Sequence, residues 1–140
     1  MTEGLLQGIN HAALAASDFD KTLAFYREIF DLTATDLGVG AERNAFLFFD
    51  NGTFLHVIES AVAVTAGHEV RTVPDNLLYS GAPLDHISLF AADTTALAEI
   101  RDRLAAANAS VSDIVETGGI VQSLHFTDPD GRHLEVAAYM

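Results

Sequence analysis

The chain has 140 residues, a single-domain length, and 49% of them are hydrophobic, so it can fold around a sizeable core. Its Lys and Arg total 7 against 20 Asp and Glu, and the resulting net charge of −13 repels nucleic-acid phosphates and anionic lipid. We therefore exclude nucleic-acid and membrane-surface binding. The chain has no Cys, so any bound metal must be held by His, Asp, Glu and water. No apolar run approaches the roughly 20 residues of a spanning helix, and no signal peptide is visible, so we expect a cytoplasmic protein.

The first part of the chain reads as a strand, a helix and a pair of strands. Residues 8–16 form a short apolar run that ends at Ser17-Asp18, a polar pair suited to the free N–H groups of a helix start. A helix with a broad apolar face follows, up to Phe30. Strands are then predicted at 44–49 and 53–59, joined by a turn at Asn51-Gly52, where both residues favour positive φ.

The second part repeats the first. Residues 83–105 align without gaps on residues 8–30, and the strand pair recurs at 121–127 and 132–139. Each half is therefore strand, helix and two or three strands, an α+β organisation. The predicted modules span about residues 7–60 and 83–140, with a linker at about 61–82. Since neither half has much core of its own, we predict one domain over residues 1–140.

Residues with metal-ligand side chains occupy matching positions in the two halves. His11 aligns with His86 in the first strand, and His56 aligns with Glu135 in the last strand. Two-fold packing of the modules would bring the four together. Imidazoles with a carboxylate suit Fe(II), Mn(II), Co(II), Ni(II) or Zn(II). The alternative is that these His residues are ordinary hydrogen-bonded core residues.

The second hairpin adds a geometric prediction about His125. A three-residue loop at residues 129–131, with Gly131 left-handed, places His125 directly opposite Glu135, on the same face of the sheet. His125 would then orient Glu135, bind substrate or shuttle protons, whereas a four-residue loop would send it to the other face. We expect His133 at the rim of the site and His68 exposed in the linker.

Two sequence patterns resemble a known family. They are His11…Ser17-Asp18-Phe19-Asp20…Ala24-Phe25-Tyr26 and Phe126-Thr127-Asp128-Pro129-Asp130-Gly131…Leu134-Glu135. Together with the repeat, they are similar to the vicinal oxygen chelate superfamily, which includes glyoxalase I, methylmalonyl-CoA epimerase, fosfomycin-resistance transferases, extradiol dioxygenases and metal-free bleomycin-resistance proteins. The resemblance implies two tandem βαβββ modules forming an open, cup-shaped mixed sheet around a metal site, and usually a homodimer.

The resemblance also implies roles for individual residues. His11, His86 and Glu135 match the two-His-one-carboxylate ligands of the dioxygenases and fosfomycin enzymes. His56 falls where glyoxalase I and the epimerase have a fourth ligand, Glu or Gln, so a His there is a departure from the family. Glu59 competes for that role but points to the opposite face. His125 stands where the ring-cleaving and fosfomycin enzymes carry a Tyr, which weakens both of those assignments.

Three functions follow from these possibilities. If His56 binds the metal, four protein ligands leave room for a bidentate substrate and favour an isomerase, epimerase or lyase. Glu135 would then be the general base and His125 the acid or relay. If His56 does not bind, an Fe(II) extradiol dioxygenase is favoured. The third function is metal-free binding of a small molecule, and in every case the partner is a small organic molecule.

The remaining candidates concern the pocket. Aromatic walls are expected from Phe46, Phe48, Phe54, Tyr79 and Phe90, although core packing is the alternative role for most of them. The acidic charge disfavours a highly anionic substrate unless Arg43, Arg71 or Arg132 lines the mouth.

Overall fold

A computed structural model describes residues 4–37, 42–60 and 84–140. The chain divides into two compact units, Met1–Val64 and Thr65–Met140, and each is described by itself. Unit 1 contains β1 (His11–Ala16), α1 (Phe19–Phe30), β2 (Thr33–Asp36), β3 (Asn44–Phe48) and β4 (Phe54–Glu59). Unit 2 contains β5 (Ile87–Phe90), α2 (Thr94–Ala106), β6 (Val115–Thr117), β7 (Val121–Thr127) and β8 (His133–Tyr139). His68, Arg71 and Tyr79 lie outside the described residues.

The two units have the same topology. Unit 1 is a four-stranded sheet in the order β1-β4-β3-β2, and unit 2 is a four-stranded sheet in the order β5-β8-β7-β6. In each sheet the first strand pairs in parallel with the last, and the other neighbours are antiparallel. The predicted repeat of two βαβββ modules in an α+β fold is therefore confirmed.

Both helices begin where the polar residues predict. The Asp18 carboxylate accepts a hydrogen bond from the Lys21 N–H at 3.1 Å, and the Asp93 carboxylate accepts one from Ala96 N–H at 2.7 Å. These contacts satisfy N–H groups that have no partner within the first turn of the helix. No described helix is long and apolar enough to cross a bilayer.

Each helix packs on one face of its own sheet. In unit 1 the buried face alternates along the strands, as Leu14 and Ala16 show in β1 and Leu55 and Val57 in β4. Unit 2 follows the same pattern, and its core side chains are Leu89, Leu97, Leu104, Leu124, Phe126, Leu134 and Val136. Because side chains alternate across a strand, the opposite face of each sheet carries the His residues.

Both hairpins have a three-residue loop with one left-handed glycine. In the first, Phe49 N–H bonds to the Thr53 carbonyl at 2.8 Å and Gly52 has φ 86°. In the second, Asp128 N–H bonds to the Arg132 carbonyl at 3.1 Å and Gly131 has φ 76°. The loop predicted for the second hairpin is confirmed, but the positive φ expected at Asn51 is wrong. Its side chain instead accepts a hydrogen bond from Thr53 N–H at 3.0 Å, which closes the turn locally.

Candidate functional site

His86 and Glu135 meet on the face of unit 2 that points away from α2. His86 directly precedes β5, and Glu135 pairs with Ser88 across the parallel β5–β8 ladder. This register brings His86 Nε2 to 2.9 Å from Glu135 Oε2. Both side chains are 18% exposed, so solvent reaches the pair only partly.

His125 lies beside Glu135, as the hairpin geometry predicts. The two residues are direct partners in the β7–β8 register, with His125 Nε2 4.0 Å from Glu135 Oε1. The backbone of His125 is held from the other side by Ser112, which donates its N–H to the His125 carbonyl and accepts the His125 N–H on Oγ, both at 2.8 Å. Within the described residues, His125 Nε2 is buried and has no hydrogen-bond partner.

His133 lies deeper in unit 2 than the sequence suggested. It is 2% exposed, and its Nε2 is 2.7 Å from His125 Nδ1, so one ring donates to the other. The expected position at the rim is therefore wrong. Alternation along β8 does place His133 on the face of Glu135, but it does not give the depth of the ring in the fold.

Asp85 is a site residue that sequence reasoning missed. Its Oδ2 lies 2.7 Å from His86 Nδ1, on the opposite side of the ring from Glu135. The signal that could have found it is the repeat, because Asn10 precedes His11 as Asp85 precedes His86.

Unit 1 carries its own His pair among aromatic rings. His11 stacks on Phe54 with ring centroids 4.7 Å apart and planes 4° apart, and His56 meets the edge of Phe46 at 4.8 Å. The His11 and His56 ring centroids are 6.3 Å apart. His11 Nδ1 lies 2.8 Å from Asn10 Oδ1, and His56 Nε2 lies 3.1 Å from Asn44 Oδ1.

A family model matches residues 8–136, which is most of the chain, and it is described as the Glyoxalase/Bleomycin resistance protein/Dioxygenase superfamily. The chain belongs to this superfamily. The resemblance to vicinal oxygen chelate proteins is thereby confirmed.

Solved structures of other proteins share the glyoxalase-superfamily fold. A glyoxylase/bleomycin resistance protein/dioxygenase domain from Frankia sp. EAN1pec is 24% identical, with 96% of this chain and 99% of that one covered and a TM-score of 0.76. The fosfomycin resistance protein FosX from Listeria monocytogenes is 19% identical, with 96% of this chain and 94% of that one covered and a TM-score of 0.69. Lactoylglutathione lyase from Agrobacterium tumefaciens is 22% identical over 96% of both chains, with a TM-score of 0.67.

The four predicted metal ligands lie two in each unit. His86 and Glu135, with His125, are together in unit 2, and His11 and His56 are together in unit 1. Within the described residues, Asp85, His86 and His133 also offer ligand atoms within 4.8 Å of one another and could hold a metal ion. That set shares only His86 with the predicted four.

Burial shifts two of the imidazoles towards their neutral form. Burial lowers the pKa of His125. The negative charge of Glu135 opposes this shift by raising the pKa, and His86 lowers it further. Burial also lowers the pKa of His56, and His11 adds to that shift. A neutral imidazole has a nitrogen that can accept a proton or bind a metal, so both residues keep these capacities near neutral pH.

The two described arginines expected near a pocket mouth have acidic partners. Arg43 forms an ion pair with Asp20 at 2.9 Å and covers the ring of Phe19, and Arg132 forms an ion pair with Asp128. Of the aromatic candidates, Phe46, Phe48 and Phe54 contact one another on the His face of unit 1, and Phe90 is 70% exposed in contact with Tyr139.

Proposed function

We propose that the chain is a divalent-metal-dependent enzyme that binds neighbouring oxygens of a small organic substrate and stabilises an enolate-type anion. The observation that carries the proposal is the 2.9 Å approach of His86 Nε2 to Glu135 Oε2, with the buried His125 ring alongside. It places an imidazole nitrogen, a carboxylate oxygen and a second imidazole on one face of one sheet.

The donors of unit 2 fit a divalent cation. Nitrogen and oxygen ligands bind such metals at about 2.1 Å, and two neighbours at a right angle around the ion are then about 3 Å apart. The His86–Glu135 separation is close to that value. We propose His11, His56, His86 and Glu135 as the metal ligands, with Fe, Mn, Ni, Co and Zn as the candidate ions.

Two relatives support this class of function. A FosX variant from Listeria monocytogenes, 19% identical, has been solved with Mn(II) and 1S,2S-dihydroxypropylphosphonic acid, which carries hydroxyls on neighbouring carbons. Lactoylglutathione lyase is named as a lyase.

In the proposed reaction, a bound metal would act as a Lewis acid on the substrate oxygens. Glu135 would accept the proton that leaves carbon on Oε1, because Oε2 is the oxygen in contact with His86. His125 would return or relay that proton through Nε2, the atom nearest Glu135. The reaction type is therefore an isomerase, epimerase or lyase.

A second candidate, the Fe(II) extradiol dioxygenase, rests on the contact between His56 and Asn44. His56 Nε2 is 3.1 Å from Asn44 Oδ1, so this nitrogen carries the proton and, while the contact persists, only Nδ1 of His56 is left for a metal. A three-ligand metal would leave the further position that O₂ needs.

Metal content of untagged wild-type and His56→Ala protein, measured by mass spectrometry after reconstitution with each candidate ion, separates these functions. Metal that is lost in the variant supports four ligands and the isomerase, epimerase or lyase. Metal that survives unchanged supports the dioxygenase. No metal in wild-type protein would refute both and leave small-molecule sequestration, as in bleomycin-resistance proteins.

The homodimer, the single-domain organisation and the cytoplasmic location remain predictions. Analytical ultracentrifugation at several concentrations tests the first, and a mass equal to one chain would contradict it.

A further inference from the structure

The two halves repeat a contact between neighbouring residues as well as a ligand position. Asn10 and Asp85 occupy equivalent places, one residue before His11 and His86. In each half the side-chain oxygen lies close to Nδ1 of the following ring, at 2.8 Å from Asn10 and 2.7 Å from Asp85. The same contact therefore forms independently in two units.

An oxygen acceptor at one ring nitrogen decides what the other nitrogen can do. A neutral imidazole carries a single N–H, and a carbonyl or carboxylate at Nδ1 favours the proton there. The lone pair is then on Nε2. Outer hydrogen bonds of this kind orient His ligands in metal sites.

In unit 2 the other nitrogen, Nε2 of His86, is the one at the proposed site. It lies 2.9 Å from Glu135 Oε2, so in the metal-free protein the carboxylates of Asp85 and Glu135 compete for the proton of the neutral ring. We propose that Asp85 and Asn10 are positioning residues, which draw the proton of His86 and His11 towards Nδ1 and so leave Nε2 to a metal. The part about metal rests on the proposed function, whereas the position of the proton is a property of the metal-free protein.

The other paired histidines show that this arrangement is specific. His56 turns Nε2 towards Asn44, and His125 uses Nδ1 towards the ring of His133. The partners in both contacts are distant in sequence. The residue directly before each of these two histidines is a leucine, Leu55 or Leu124. The arrangement with an Asn or Asp directly before the ring is thus found at the first-strand histidine of each repeat.

The two contacts should differ in strength. Asp85 offers a charged acceptor and its side chain is 27% exposed, whereas the contact of Asn10 is neutral and exposed. Charge-assisted hydrogen bonds with limited solvent are the stronger kind. We expect loss of Asp85 to weaken metal binding by about 10–100-fold, as for other outer partners of His ligands, and loss of Asn10 to weaken it less.

The test uses ¹⁵N-histidine-labelled full-length protein in wild-type form and as Asp85→Ala, Asp85→Asn and Asn10→Ala. Long-range ¹H–¹⁵N spectra of metal-free protein at about pH 9, above the ordinary His range, report which ring nitrogen carries the proton. Dissociation constants for Mn(II) and Zn(II) give the second readout. Glu116→Gln, an exposed carboxylate on β6 of the same unit, is the matched control.

We expect wild-type His11 to carry the proton on Nδ1 and wild-type His86 to share it between Nδ1 and Nε2. The Asp85→Ala variant should move the His86 proton to Nε2, which faces Glu135, and bind metal more weakly. Asp85→Asn should restore much of both properties, because the amide keeps an acceptor oxygen as in Asn10. The Glu116→Gln variant should match wild type.

Two results would overturn the inference. One is an Nε2–H ring at His11 in wild-type protein, or a His86 proton that does not move between wild type and Asp85→Ala. The other is an equal loss of metal binding in Asp85→Asn and Asp85→Ala, since this would make the Asp85 carboxylate a direct ligand with His86 and His133. Failure of wild-type protein to bind metal would instead refute the proposed function, and the metal-free spectra would still decide the position of the proton.

Discussion

At the scale of the residue, the unit 2 site is a row of polar contacts across one sheet face. It runs from Asp85 through His86 and Glu135 to His125 and His133. The partly exposed end holds the proposed ligands, and the buried end holds two imidazoles in contact. Burial of His125 disfavours its charged form, so this end of the row makes folding sensitive to protonation.

Stability should therefore fall on acidification. Burial lowers the pKa of His125 and of His56 below the ordinary value of 6.5, so the unfolded chain binds protons at a higher pH than the folded one. The stabilisation is fully present above about pH 6.5 and is lost as pH falls through the lower folded pKa values.

Urea titrations between about pH 5 and pH 8 measure this effect through the free energy of unfolding. We expect His125→Gln to flatten the slope below pH 6.5 relative to wild type. An unchanged slope in both His125→Gln and His56→Gln would contradict the assignment.

At the scale of the element, the β7–β8 hairpin determines which residues face each other. The Asp128 side chain is fully buried and accepts hydrogen bonds from Asp130 N–H at 2.9 Å and Arg132 N–H at 3.0 Å. Together with left-handed Gly131, these contacts fix the loop at three residues, and that loop pairs His125 with Glu135.

Removing this carboxylate should weaken the whole unit. We expect Asp128→Ala to cost about 2–3 kcal/mol of unfolding free energy, because two backbone donors and Arg132 lose a buried acceptor. Asp50→Ala, in the exposed loop of the first hairpin, is the control and should cost little. The urea midpoint measures both, and equal losses would argue against a special role for Asp128.

The hairpin also shows how far sequence alone reaches. The order Asp-Pro-Asp-Gly predicts the loop length, and the strict alternation of strands then gives the partner and face of His125. The turn of the first hairpin was harder to predict, because Asn-Gly suits several turn types. The Asn51 side chain accepts a hydrogen bond from Thr53 N–H, and the turn that forms has positive φ only at Gly52.

At the scale of the whole molecule, the internal repeat predicted most of the fold, because pattern and spacing specify local topology. It did not predict rotamers, which depend on three-dimensional packing. The burial of His133 is therefore known only from the structure. The repeat puts Asp85 next to His86 in the sequence, but only the structure shows that their side chains meet. Similarly, the sequence names His56 as a ligand type but gives no sign that Asn44 contacts its Nε2.

The most direct test of the central claim is a binding isotherm for Mn(II) with untagged wild-type protein and the Glu135→Gln variant. Free Mn(II) is followed by electron paramagnetic resonance, with Glu116→Gln as the control. We expect one ion per chain in wild type and control, and binding weakened by at least about 10-fold in Glu135→Gln, because the amide lacks the charge of the carboxylate. Equal binding in all three proteins, or none in wild type, would contradict a metal site built on His86 and Glu135.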